Sequence, residues 1–164
     1  MKVLVAYSSF NGNARALAEK IAEGAREATA EAEVVDVAKK ALDLSQYEFV
    51  FLGCDILFSF DSRLLPAANS KSFGGVRTAV FAARGRHGEK GVTDAVSRII
   101  AGGGSVRSTF FVQTKGVLSW IGFGRISDED AIRARGFGER TVNNALGIQV
   151  RKDSEKSRIM GYIK

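Results

Sequence analysis

Five short apolar runs, each separated from the next by helix-patterned or glycine-rich stretches, restrict this chain to very few folds. The runs are KVLVAY (2–7), EVVDV (33–37), EFVFLGC (48–54), RTAVFAA (77–83) and SVRSTFFVQ (105–113). The first, third and fourth are nearly continuous in apolar residues, as strands covered on both faces of a parallel sheet must be. The second and fifth alternate more, as strands nearer an edge can.

Between the strands the period changes. Ala14, Leu17, Ala18, Ile21, Ala22 and Ala25 form one stripe at helical spacing, with Arg15, Glu19, Lys20 and Glu23 opposite. Val92, Ala95, Val96, Ile99 and Ile100 repeat the pattern and run into Gly102–Gly104, a natural helix stop. A last helix is expected from Ser127, with Asp128, Glu129 and Asp130 in its first turn, to about Leu146, where Gly147 ends it. Ser62 to Phe73 reads as a short helix with Pro66 near its start. Strand and helix in alternation imply an α/β fold: a three-layer, doubly wound, five-stranded parallel sheet formed by one domain over residues 1–164. Ligands of such sheets bind beyond the C-terminal strand ends, at the switch point. Three segments meet there: Ser8–Ala14, Asp55–Asp61 and Arg84–Gly88.

Composition narrows the setting. With 164 residues the chain can bury a sizeable core. Its 24 basic and 18 acidic residues leave a net charge of +6, but the positives are dispersed. Arg84, Arg86 and Lys90, Arg133 and Arg135, and the tail Arg151, Lys152, Lys156 and Arg158 are the only local concentrations. That is a solvated surface rather than a nucleic-acid face. No apolar run reaches the ~18 residues of a membrane span, and the opening lacks the pattern of a secretory leader. The single cysteine, Cys54, excludes an internal disulfide and fits a reducing, cytoplasmic setting. One histidine and one cysteine leave no metal site to assemble.

The most informative stretch is SSFNGNA. Ser8, Ser9, Asn11 and Asn13 bring donors, Gly12 lets the backbone bend, and the helix that follows offers free N–H groups with a partial positive charge. A helix cap needs one such residue, whereas this loop has four. The pattern therefore points to an anion, above all a phosphate. Neither the dinucleotide fingerprint G-x-G-x-x-G after the first strand nor the P-loop G-x-x-x-x-G-K-[ST] is present, which argues against an NAD or ATP site in this loop.

The opening VLVAYSSFNGNARALAEKIAEG resembles that of the flavodoxin family. The family places a loop of the form [ST]-x-T-G-x-T after its first strand to hold the phosphate of FMN. Ser9, Gly12 and Asn13 fall on that pattern, while Asn11 and Ala14 stand where it has threonines. FVFLGCDIL is similar to the family's third strand and following loop, and the order of elements extends the likeness over most of the chain. The resemblance implies non-covalent FMN held by Ser8, Ser9, Phe10, Asn11, Gly12, Asn13 and Ala14 at the phosphate. Asp55, Leu57, Phe58 and Phe60 on the loop after the third strand, and Arg84, Gly85, Arg86 and His87 on the loop after the fourth, would stand beside the ring. It also implies electron transfer with a redox partner protein or a small-molecule donor or acceptor, as a one-electron carrier or as an FMN-dependent oxidoreductase, such as an NAD(P)H- or quinone-linked reductase. The chemistry would be the flavin's, with no catalytic side chain.

Three departures bear on that reading. Typical members cover the ring with a Trp and a Tyr; here Phe58 or Phe60, and His87, are the substitutes. Arg84 and Arg86 near the N1–O2 edge of the ring would stabilise the reduced anion and make the couple less reducing. The family's carriers are usually acidic, whereas this chain is basic and suits an acidic partner. The alternative is a flavodoxin-like domain with weak or lost flavin binding that serves as an interaction module. The loop TKGVLSWIGFGRISDED, with the lone Trp120, is expected to cover the core, form a homodimer or partner contact, or act as a lid. A receiver domain would use Asp55 and Lys115 but needs an acidic pair where Ser8 and Ser9 stand. Cys54 follows the wrong strand for a phosphatase loop, and His87 lacks a G-x-S-x-G partner.

Overall fold

A computed structural model describes residues 1–56, 59–65, 73–85, 88–115 and 124–148. The five apolar runs are strands β1 (Lys2–Ser8), β2 (Glu31–Asp36), β3 (Phe49–Ile56), β4 (Arg77–Arg84) and β5 (Ser105–Gln113). All neighbours pair in parallel, in the order β2-β1-β3-β4-β5. The two strands with the weaker apolar patterns, β2 and β5, are the edges. β3, inside the sheet, is buried at all eight positions.

Among the described residues, three helices cover the sheet: α1 (Asn13–Glu27), α2 (Glu89–Ala101) and α3 (Asp128–Ala145). Alternate strand residues feed two cores. Val3, Val5, Phe49, Phe51, Ala79 and Phe81 meet α1 and α3, whereas Leu4, Ala6, Val50, Leu52, Val80 and Ala82 meet α2. On the first face the ring of Phe137 lies edge-on to Phe51 at 5.8 Å and stacks on Phe110 at 5.1 Å. Burial of each such ring contributes about 1.5–3 kcal/mol. Gly53, in the middle of β3, leaves room for the ring of Phe81; a Cβ there would lie 2.3 Å from it.

The helix limits follow their sequence signals. Ser127 caps α3 in a reciprocal capping box with Asp130, and Gly147 follows it in a left-handed turn (φ 73°). Of the short helix expected over Ser62 to Phe73, residues 66–72, Pro66 among them, lie outside the described residues. Before them the described residues form a 3-10 turn, Ser62–Leu64, that starts at Asp61, whose carboxylate accepts from the Arg63 amide. Among those described, no helix is long and apolar enough to cross a membrane.

Candidate functional site

The chain leaves β1 at Ser8 and enters α1 at Asn13, and everything between is organised around one carboxylate. Ser8 pairs with Cys54, so Asp55 lies one position further along β3, opposite the start of the loop. Asp55 Oδ2 accepts from Ser9 Oγ at 2.6 Å, from the Phe10 amide at 3.0 Å and from the Asn11 amide at 3.3 Å. Oδ1 accepts from the Ala14 amide at 2.8 Å. One hydroxyl and three main-chain N–H groups thus converge on a single oxyanion, and that oxyanion is part of the protein. Asp55 is 8% exposed. Burial pushes its pKa up, and the four donated hydrogen bonds oppose that rise.

Local chemistry explains the shape of the loop. Gly12 adopts φ 90°, a left-handed conformation with no steric cost for glycine, and turns the chain into α1. Its amide donates to Ser9 Oγ at 3.0 Å, and the Asn13 amide donates to Asn11 Oδ1 at 3.1 Å. Ser9 therefore accepts from the loop while it donates to Asp55. The N–H groups of the first helical turn, which would otherwise lack partners, face a negative charge.

A second cluster lies on the other side of the strand end. Ser8 points away from Asp55, because successive side chains alternate. Its hydroxyl donates to Asp61 Oδ2 and accepts from Arg63 Nη2 at 3.0 Å. Arg63 Nη2 also reaches Asp61 Oδ2 at 2.6 Å. The guanidinium beside Asp61 holds its carboxyl well below the usual range, at about 2.

Several expected ligand groups have other tasks. The side chain of Ser8 belongs to the Asp61–Arg63 cluster. The side chain of Asn13 turns inward, donating to the Gly124 carbonyl at 2.7 Å and accepting from the Ile126 amide at 3.2 Å. It anchors the return into α3 and is absent from the cradle. Phe60 is buried in the α2-side core. Arg84 lies on the α2 face and lines a groove of 290 Å³ with Glu89, Val92, Val96, Thr109 and Phe111. It is therefore on the sheet face opposite Asp55. Gly85 closes the turn after β4, its carbonyl accepting from Gly88 at 3.3 Å. Leu57, Phe58, Arg86, His87 and residues 116–123, Trp120 among them, lie outside the described residues, as does the basic tail.

Ser9, Phe10, Asn11 and Ala14 are the expected residues that do converge, three of them through backbone N–H. The role of Asp55 and the Asp61–Arg63 grip on Ser8 went unread. The available signal was an acid closing an otherwise apolar strand, FVFLGCDI, directly opposite a loop of donors. Among the described residues no group of three metal-ligating side chains is assembled.

Comparison with known proteins yields the fold. No family model matches, and no curated protein matches. Solved structures do. An archaeal flavodoxin superposes with a TM-score of 0.65 over 88% of this chain and 98% of its own, at 20% identity. Flavodoxin 1 from Bacillus cereus gives 0.65 over 87% and 98%, at 23% identity. The flavodiiron protein from Giardia intestinalis gives 0.69 over 90% of this chain and 36% of its own, at 17% identity. The architecture is flavodoxin-like.

Proposed function

We propose that this chain is a flavin-binding redox domain of flavodoxin type, with its ligand at the C-terminal ends of β1 and β3. The observation that carries the reading is the convergence of Ser9 Oγ and the amides of Phe10, Asn11 and Ala14 on one oxyanion position. That cradle lies at the C-terminal strand ends of a parallel sheet, where the ligands of such sheets bind. A bound flavin would supply the electron chemistry, and the protein would supply position and electrostatics. The basic chain favours an acidic redox partner protein or an anionic small-molecule donor or acceptor.

The phosphate of FMN does not fit the cradle as it stands. The donors suit it in kind, but the carboxylate of Asp55 already takes them. Two like charges about 4 Å apart repel by about 4 kcal/mol at an effective dielectric constant near 20, and a phosphate carries nearly two. Arg63 offers little relief, because it is already paired with Asp61.

The test is a titration of the purified full chain with FMN and with riboflavin, followed by quenching of flavin fluorescence. Saturable quenching by either flavin at micromolar concentration supports the reading. Absence of quenching with both, in the wild type and in Asp55→Ser, overturns it. The second reading, an interaction module without flavin, then takes its place. It is favoured by the same carboxylate, which satisfies the loop donors without any ligand.

A further inference from the structure

The flavin reading above leaves the class of flavin open, and Asp55 bears directly on it. Asp55 is more than nine-tenths buried, and its carboxylate accepts from Ser9 Oγ and from the amides of Phe10, Asn11 and Ala14. A phosphate-bearing ligand must displace this side chain or lie against it. Displacement strips four hydrogen bonds from an ionised group whose backbone is pinned inside the sheet, where Asp55 pairs with Ala83. Close approach sets like charges together, and among the described residues no Lys or Arg side chain contacts Asp55 to offset them.

A ligand that ends in a free hydroxyl meets the opposite situation. Oδ2 of Asp55 takes three hydrogen bonds, but Oδ1 takes only one among the described residues, from Ala14. A carboxylate oxygen can accept two, so an alcohol O–H can complete Oδ1. That is a charge-assisted bond, stronger than one between neutral groups. We infer that the Asp55 carboxylate replaces the ligand's phosphate, so that this site takes a flavin with a free terminal hydroxyl, of riboflavin type, in preference to FMN. The residue is then a specificity determinant that rejects the phosphorylated form.

The repulsion between one pair of unit charges at that distance corresponds to about a thousandfold in affinity. Part of it will be relieved by movement of the side chain, so the expected preference of the wild type for riboflavin is at least about tenfold. The experiment measures dissociation constants for riboflavin and for FMN by fluorescence quenching, with the full chain at neutral pH. The wild type, Asp55→Ser and Asp55→Asn are compared, and a thermal melt checks that each variant is folded.

Tighter riboflavin binding in the wild type, inverted in favour of FMN in Asp55→Ser, sustains the inference. FMN binding as tightly as riboflavin to the wild type overturns it while leaving the flavin reading intact. A riboflavin preference that survives in both variants removes Asp55 from the account and also overturns it. Failure of riboflavin to bind the wild type overturns it whatever the variants do. Only if FMN too fails with every protein does the flavin reading fall with it. Should the serine variant not fold, the wild-type ratio and the asparagine variant still decide the matter.

Discussion

The amide of Ala14 donates to Oδ1 of Asp55 at 2.8 Å, tying the first turn of α1 to the end of β3 across 41 residues of chain. This bond makes the cradle a structural joint whatever ligand it serves. Without the carboxylate, the Ser9 hydroxyl and the amides of Phe10, Asn11 and Ala14 would have to find water instead.

Two opposed effects decide what replacement of Asp55 does to stability. Ionised, the group incurs desolvation, which is the larger influence and raises its pKa. Removed, it leaves the buried Ala14 amide without its acceptor, at about 1–3 kcal/mol, while the part-buried donors of Ser9, Phe10 and Asn11 turn to water. Asp55→Ala should therefore destabilise the fold by about 2 kcal/mol. Asp55→Asn should cost less, because it keeps an oxygen for the three donors at the Oδ2 position and sheds the buried charge. It still presents an amide NH₂ to one of the donors. Urea denaturation of the two variants against the wild type checks the order; equal stability of Asp55→Ala and wild type would refute the joint.

Much of the fold could be read from the chain, because burial on both faces of a parallel sheet writes itself as continuous apolar runs. VLVA in β1 and FVFLGC in β3 needed no partner to be recognised, and the α1 stripe from Ala14 to Ala25 is buried throughout. The site was legible only as a loop of donors. Whether Ser8 or Ser9 faces it depends on the parity of one strand end, and a shift of one residue exchanges the faces. Asp55 is distant in sequence, so its approach depends on the β1–β3 register, which no local pattern encodes. Asn13 looked like a ligand group because a side-chain amide serves equally well in a loop tie; Gly124 and Ile126 decide between the two.

Acid pH should weaken the fold through Asp61. Its folded pKa, about 2, lies below the ordinary 3.8 of an unfolded chain. The unfolded state therefore binds more protons between those values, and stability falls as pH drops from about 4 toward 2. Asp55 acts in the opposite sense: its raised folded pKa makes the folded state hold the proton longer, so its contribution declines as pH rises above 4. In Asp61→Asn the acid loss should shrink, at a cost of about 1 kcal/mol at neutral pH from the lost ion pair and hydrogen bonds. Thermal melts from pH 2.5 to 6 measure both; an unchanged acid slope in the variant would assign the loss to other carboxylates.

Cys54 should be inert in the folded protein. It is 1% exposed in the α2-side core, and burial pushes its thiol up to about 12. The thiolate is the reactive form, and at pH 8 almost none is present. A disulfide reagent should label it at a rate set by unfolding, at least about a hundredfold slower than in denaturant. Fast labelling of the native chain would show that the end of β3 opens readily, and would weaken the view of the cradle as a rigid joint.

Helices α1 and α3 touch through glycines. A Cβ at Gly24 would lie 1.9 Å from the Arg135 carbonyl oxygen, and one at Gly138 would lie 2.2 Å from that of Ile21. Both obstacles are backbone atoms, so the helices would have to separate. Overpacking of this kind costs about 1–3 kcal/mol, and the helical preference for alanine over glycine returns only about 1. With the contact this close, the steric effect should win, and Gly138→Ala and Gly24→Ala should each destabilise by about 2 kcal/mol. Gly136→Ala is the control. Its Cβ would meet only the guanidinium end of Arg140, at 2.9 Å, which can swing aside. That variant should gain up to about 1 kcal/mol. Denaturant midpoints of the three give the answer: a Gly138→Ala variant as stable as Gly136→Ala would mean that the α1–α3 contact is looser than its glycines imply, and that the first turn of α1, which carries the Ala14 amide, is free to shift with it.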